Sequence, residues 1–179
     1  MKLLLLLFFC FTMNTISISI SIYDFSKSSN VSDWIIVDDV VMGGRSNGRF
    51  SIDEDGNGLF SGTVSTENYG GFSSVRYQFD KIITTADSKI LIKLKGDGKD
   101  YQIRIKDKIS KYYSYITTFK TNGNWQEISI NMKDLYPSFR GQNLDLPNYN
   151  SNSFEELVFL IGNKKNESFQ LVIDKIELN

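Results

Sequence analysis

The segment KILIKLK, Lys89 to Lys95, alternates apolar and basic residues without a break. Successive side chains of a strand point to opposite faces, so this period of two predicts a half-buried β-strand with Ile90, Ile92 and Leu94 inward and Lys89, Lys93 and Lys95 outward. YQIRIK repeats it, with Tyr101, Ile103 and Ile105 inward and Gln102, Arg104 and Lys106 outward. Between the two lies GDGKD, whose Asp97-Gly98 pair suits a tight turn, so the two segments are expected to form a hairpin. FSSVRYQF, YYSYITTF, WQEISIN, ELVFLIG and SFQLVIDKIEL extend the series, with Asn122-Gly123 and the Asn163 to Asn166 stretch as punctuation. LVFLI lacks alternation and reads as a strand covered on both faces. No segment carries apolar residues at helical spacing over several turns. The expectation is all-β, a sandwich or jelly roll of about eight to ten strands.

The first residues have a different logic. Lys2 precedes an apolar run from Leu3 to Phe11 and then SISISIS. That is the layout of a secretory signal peptide over residues 1–21, with cleavage after Ser19 or Ser21 and a single domain over 22–179. The run is short of the roughly 20 apolar residues that span a bilayer. Export follows as the expected localisation, whether periplasmic, extracellular or at the envelope. An Arg-rich mitochondrial presequence is not present, since no arginine precedes Arg45. Loss of the leader takes Lys2 from the 20 basic residues, leaving 19 against 21 acidic ones, a net charge of −2. Such a balance does not recruit nucleic acid. The one cysteine, Cys10, goes with the leader, so disulfides are not expected of the mature chain. Asn30-Val-Ser and Asn166-Glu-Ser match the N-glycosylation pattern.

Histidine is absent. That excludes Ser-His-Asp and Cys-His catalysis, His-based zinc sites and the usual proton shuttle near neutral pH. Asp38, Asp39, Glu67, Asp97 and Asp134 offer carboxylates without a legible acid and base pair. The chain is therefore expected not to be an enzyme. DEDGNG, Asp53 to Gly58, matches the first half of a calcium-binding loop. Position twelve, where a bidentate glutamate belongs, is Val64, and the reading is a hairpin turn between RFSI and LFSGTV. No metal site can be assigned. Tyr113, Tyr115 and Trp125 are an alternative sugar-stacking platform, set against ordinary cross-strand packing of aromatic residues; Tyr113 and Tyr115 share a face with Lys111, which predicts contact with water.

One run stands apart: DDVVMGGRS, Asp38 to Ser46. With Trp34, Phe60-Ser-Gly62, the ENYGGFSSVR block from Glu67 to Arg76, Gly96-Asp-Gly98, Tyr101, Trp125, Phe139-Arg-Gly141, Ile161-Gly162 and Phe169-Gln-Leu171 it occurs in one order along the mature chain. As a set these blocks resemble the complex I intermediate-associated protein 30 family, assembly factors of NADH:ubiquinone oxidoreductase. The resemblance implies a galactose-binding-like jelly-roll β-sandwich acting as a non-catalytic, chaperone-like binding module without a cofactor. Its partner would be a protein, such as a membrane-protein assembly intermediate. The same fold serves carbohydrate-binding modules, so a secreted glycan-binding module is the alternative. A dinucleotide-binding domain, which some relatives carry, is missing here, and no dinucleotide is expected. The candidate binding or loop-fixing residues are Asp38, Asp39, Met42, Gly43, Gly44, Ser46, Gly70, Gly71, Arg76, Arg140 and Gly141. In the structural version Gly43 and Gly44 permit a corner after the first core strand, and Asp38 or Asp39 pairs with Arg76 or Arg140.

Overall fold

A computed structural model describes residues 19–179; the leader, apart from its last three residues, lies outside them together with Cys10. The strands are β1 (Ile20–Asp24), β2 (Trp34–Asp38), β3 (Asn47–Ile52), β4 (Gly58–Val64), β5 (Ser73–Ile83), β6 (Lys89–Gly96), β7 (Asp100–Lys106), β8 (Ser114–Lys120), β9 (Trp125–Asn131), β10 (Tyr136–Phe139), β11 (Gln142–Asn143), β12 (Ser153–Ile161) and β13 (Glu167–Leu178). The helical segments among the described residues are short 3₁₀ turns. Thirteen strands exceed the expected eight to ten because short ones such as β10 and β11 have too few residues to show a period.

All pairings are antiparallel. One sheet runs β3-β4-β13-β6-β9, with β1 also on β13; the other runs β11-β10-β8-β7-β12-β5-β2. Along one edge of β13, β4 pairs with residues 167–173 and β1 with residues 175–178, and the register shifts on the β6 side between Ile173 and Lys175. The result is the sandwich that alternation requires. Ile90, Ile92, Leu94, Tyr101, Ile103 and Ile105 are all buried, as expected. Trp34 lies at one end of the core, stacked between Tyr77 and Phe50, each ring centroid 4.9 Å away. β12 is indeed covered on both faces, since Val158 and Leu160 are buried, as are Leu157 and Phe159 on the other side.

The expected hairpin between Lys95 and Tyr101 does not form. β6 belongs to the six-stranded sheet and β7 to the seven-stranded one, so GDGKD arches over the end of the core. Asp97 holds the arch, accepting from the Tyr101 hydroxyl at 3.0 Å and the Gln170 amide at 2.9 Å. Alternation reports which face a residue occupies, and that face is the same whether the next strand lies beside or across the sandwich. The DEDGNG turn does join a hairpin, β3 to β4, as expected, closed by the Asp53 carboxylate on the amides of Asp55 and Asn57.

Candidate functional site

The DDVVMGGRS run leaves β2 as a 3₁₀ turn over Asp39–Met42 and reverses at Gly43, whose φ of 82° a side chain would disfavour. A Cβ on Gly44 would collide with the Asp39 carboxylate, and one on Gly70 would press on the same group from the other side. Between these glycines Asp39 is 2% exposed. It accepts four hydrogen bonds: the Ser46 amide at 3.1 Å, the Ser46 hydroxyl at 2.6 Å, the Gly71 amide at 2.6 Å and the Phe72 amide at 3.2 Å. Burial alone pushes its pKa up, and the four donors outweigh that and hold it below the ordinary value of 3.8. Asp38 accepts from the Gly48 amide at 2.9 Å, and the Asn68 amide group donates to the Gly43 carbonyl. Thus Asp38, Asp39, Gly43, Gly44, Ser46, Gly70 and Gly71 do come together, with Met42 at the end of the 3₁₀ turn. They form a clamp between two loops whose hydrogen bonds close on the chain itself.

The arginines are elsewhere. Arg76 and Arg140 do not pair with Asp38 or Asp39: backbone amides and Ser46 fill the Asp39 carboxylate, whereas Asp38 takes only the Gly48 amide and its second oxygen is buried without a hydrogen bond. Arg140 and Gly141 occupy the β10–β11 turn, at the opposite edge of the sheet from β2, with the Arg140 guanidinium 5.2 Å from the Phe139 ring centroid. Arg76 lies on the outward face of β5, its Nε 3.6 Å from Glu156 Oε2. Nor does the structure bring the residues of the alternative sugar platform together. Tyr115 is buried with its hydroxyl near that of Tyr113, and burial pushes its pKa up to about 12. The Lys111 ammonium lies over both rings, and Asp107 anchors it at 2.6 Å. Tyr113 is packed against the core, and Trp125 is on the other sheet.

What Arg76 does belong to is a row that crosses six strands in register: Ile35, Arg76, Val158, Arg104, Ile116, Tyr136. Beside it run Gln78 and Glu156 on one side and Gln102 on the other. Glu156 is 1% exposed although it points away from the core, and it accepts from the Gln78 amide at 2.7 Å. Arg76 Nε is buried and makes no hydrogen bond. Two bonds to Gln102 Oε1, at 3.1 and 2.7 Å, hold Arg104, and burial pulls its pKa down from the ordinary value of a guanidinium. Val158 and Ile116 are buried within the row, and beside them stand guanidinium, amide, carboxylate and phenol groups on the outward face. Of these residues, sequence reasoning singled out only Arg76 as a candidate. The signal for the rest was present: charged and amide side chains at the outward parity of central strands.

The chain matches the model of the complex I intermediate-associated protein 30 family over residues 23–173. Among solved structures it resembles a family 11 carbohydrate-binding module of a Clostridium thermocellum cellulosomal cellulase, with TM-score 0.65 and 15% identity over 92% of this chain and 95% of that one. A Clostridium thermocellum family 11 module in complex with a β-1,3-1,4-mixed-linked tetrasaccharide gives TM-score 0.63 at 17% identity, over 89% and 94%. A family 30 carbohydrate-binding module gives 0.55 at 15%, over 91% and 99%. At these identities the likeness is one of fold, and it bears out the β-sandwich expected above. Matched over most of its length, with its Gly, Asp and Arg blocks in place, the chain belongs to the complex I intermediate-associated protein 30 family.

Proposed function

We propose that this is an exported, non-catalytic binding module that takes a glycan across the outward face of the seven-stranded sheet. The observation that carries the reading is the cross-strand row in which buried Glu156 faces Arg76 Nε at 3.6 Å, too far for the hydrogen bond that this nitrogen otherwise lacks. Buried polar groups are ordinarily paired, and a partly exposed guanidinium whose Nε lacks a hydrogen bond fits a hydroxylated ligand that bonds its open nitrogens. The tetrasaccharide complex of a family 11 module supports the ligand class. Glycoside cleavage needs two carboxyl groups at a set separation, and the row supplies only Glu156. Export rests on the leader, and Ile20 and Ser21 pair with Leu178 and Glu177 respectively, which favours cleavage after Ser19 over Ser21. The test is calorimetric titration with mixed-linked glucan tetrasaccharide and a panel of other neutral oligosaccharides. Saturable binding that Arg104→Ala weakens by about tenfold or more supports the reading; no binding across the panel overturns it.

The family match favours a second reading, a protein partner held during assembly. Ile35, Val40 and Tyr69, at 52%, 60% and 96% exposure, give it apolar contacts around the end of β2. Respiratory-chain subunits recovered with a tagged chain in mild detergent, and lost with Ile35→Asp, would establish it.

A further inference from the structure

The second sheet carries a separate cleft. Across its outward face Leu59, Val172, Lys95 and Trp125 stand in one register row, and the β3–β4 turn brings Asp53, Asp55 and Asn57 to the same cleft, a pocket of about 440 Å³. That volume falls within the roughly 300–1,000 Å³ of small-molecule sites. Trp125 is 45% exposed, and Lys93, pinned by Asp174 at 2.6 Å, lies 5.7 Å from its ring centroid. The turn is rigid, since Asp53 accepts from two backbone amides and from the Asn57 side chain. Around the tryptophan, the side chains of Asp55, Lys95 and Gln170 make no hydrogen bond or ion pair among the described residues, although all three line the pocket.

We infer that this cleft is a second binding site, for one neutral sugar ring stacked on Trp125. The charges select the ligand class. Two ammonium groups beside the indole disfavour a cation there, and the carboxylates of Asp53, Asp55 and Asp97 disfavour an anion. A neutral polyol meets neither penalty and can take an acceptor from Asp55, donors from Lys95 and both from Gln170. The apolar face of a pyranose covers the indole while its hydroxyls reach those groups. Because the cleft and the Arg76–Arg104 row lie on opposite sheets, one module would touch a polymer at two places, and the second contact would add avidity without changing the first.

Tryptophan fluorescence separates the two sites. The chain has two tryptophans, and Trp34 is 4% exposed, so acrylamide quenching reads Trp125. Glucose, galactose and the mixed-linked tetrasaccharide are titrated singly into the intact mature chain. The expected result is saturable protection of Trp125 that persists in Arg104→Ala and weakens by about tenfold or more in Gln170→Ala and Asp55→Ala, as loss of a ligand hydrogen bond does. Loss of protection in Arg104→Ala, with Gln170→Ala and Asp55→Ala unaffected, overturns the second site and leaves the first. Protection by none of the three sugars, or by spermidine alone, overturns it as well, the latter moving the cleft to cationic partners. Trp125→Ala, followed by calorimetry, gives the control in which the cleft's binding disappears; retained binding at undiminished affinity sinks the stacking.

Discussion

Asp39 and Glu156 are both carboxylates closed to solvent, at 2% and 1% exposure, the first in the 3₁₀ turn that follows β2 and the second on β12 of the same sheet. Asp39 takes four hydrogen bonds from the loops it joins, whereas Glu156 takes one from Gln78 and faces Arg76 at 3.6 Å. The difference separates architecture from readiness. A carboxylate whose acceptor sites are filled by backbone amides has no capacity left for a ligand. One beside an unsatisfied guanidinium nitrogen still has chemistry to offer. Burial of charge by itself therefore does not mark a binding site, and the count of internal partners does.

The largest effect is expected at Asp39. Asp39→Ala strands three backbone amides and the Ser46 hydroxyl, and should cost about 3 kcal/mol or more. By thermal unfolding that is a fall in Tm of roughly 6–12 °C for a domain of this size. A fall of only a degree or two would mean that water replaces the carboxylate, and the clamp would become a candidate ligand site. Gly44→Ala attacks the same contact from the glycine side and should cost about 1–3 kcal/mol, as overpacking does.

Acid tests the clamp without mutation. Asp39 and Asp107 both have folded pKa values below the ordinary 3.8. For Asp107, burial pushes upward and is outweighed by hydrogen bonds from Lys111 and Ser151 and by the Lys111 charge. A depressed folded value means that the stabilisation is complete above 3.8 and is lost as pH falls through the lower folded value. Urea midpoints should thus vary little with these groups between pH 5 and 7 and drop below about pH 4. Asp39→Asn should flatten that drop; an unchanged acid limb would remove Asp39 as its source.

On the other side of the comparison, Arg104→Ala and Glu156→Gln should sharpen it by moving affinity more than stability. Each is expected to weaken glycan binding by about tenfold or more while costing about 1 kcal/mol of folding free energy, near the worth of one net hydrogen bond. A large Tm loss with unchanged affinity in both variants would turn the row into another clamp.

How far the sequence foretold all this differs between the two regions. Alternation in KILIKLK and YQIRIK placed every inward side chain correctly, and the glycine pair at 43 and 44 announced a corner. Those signals are local. Whether β6 and β7 are neighbours is not, because both answers bury the same faces. The Asp–Arg pairing failed for a related reason: an aspartate can be satisfied by amides from a loop 32 residues away, and amides leave no trace in side-chain spelling. The Glu156 row depends on register between six strands distant in the chain, so only its raw parity was legible. Tyr115 looked exposed beside a lysine, yet that lysine is drawn inward by Asp107 and lies over the ring.

The smallest effect is expected at Arg140, the charged residue of the Phe139-Arg-Gly141 block. Its φ of 49° lies in the left-handed region, where a side chain is strained whatever its length. Alanine at 140 keeps that strain, so the backbone contribution cancels between the two forms. What remains is the guanidinium over the half-open Phe139 ring, an exposed cation–π contact of about 0.5–1 kcal/mol at most. Arg140→Ala should accordingly shift Tm by no more than roughly 2–4 °C. Arg140→Gly relieves the left-handed strain but frees the unfolded chain, and should fall close to the parent. A loss in Arg140→Ala as large as that in Gly44→Ala would show that the β10–β11 turn is a second clamp, since an exposed side chain with no acceptor has no other route to so large an effect.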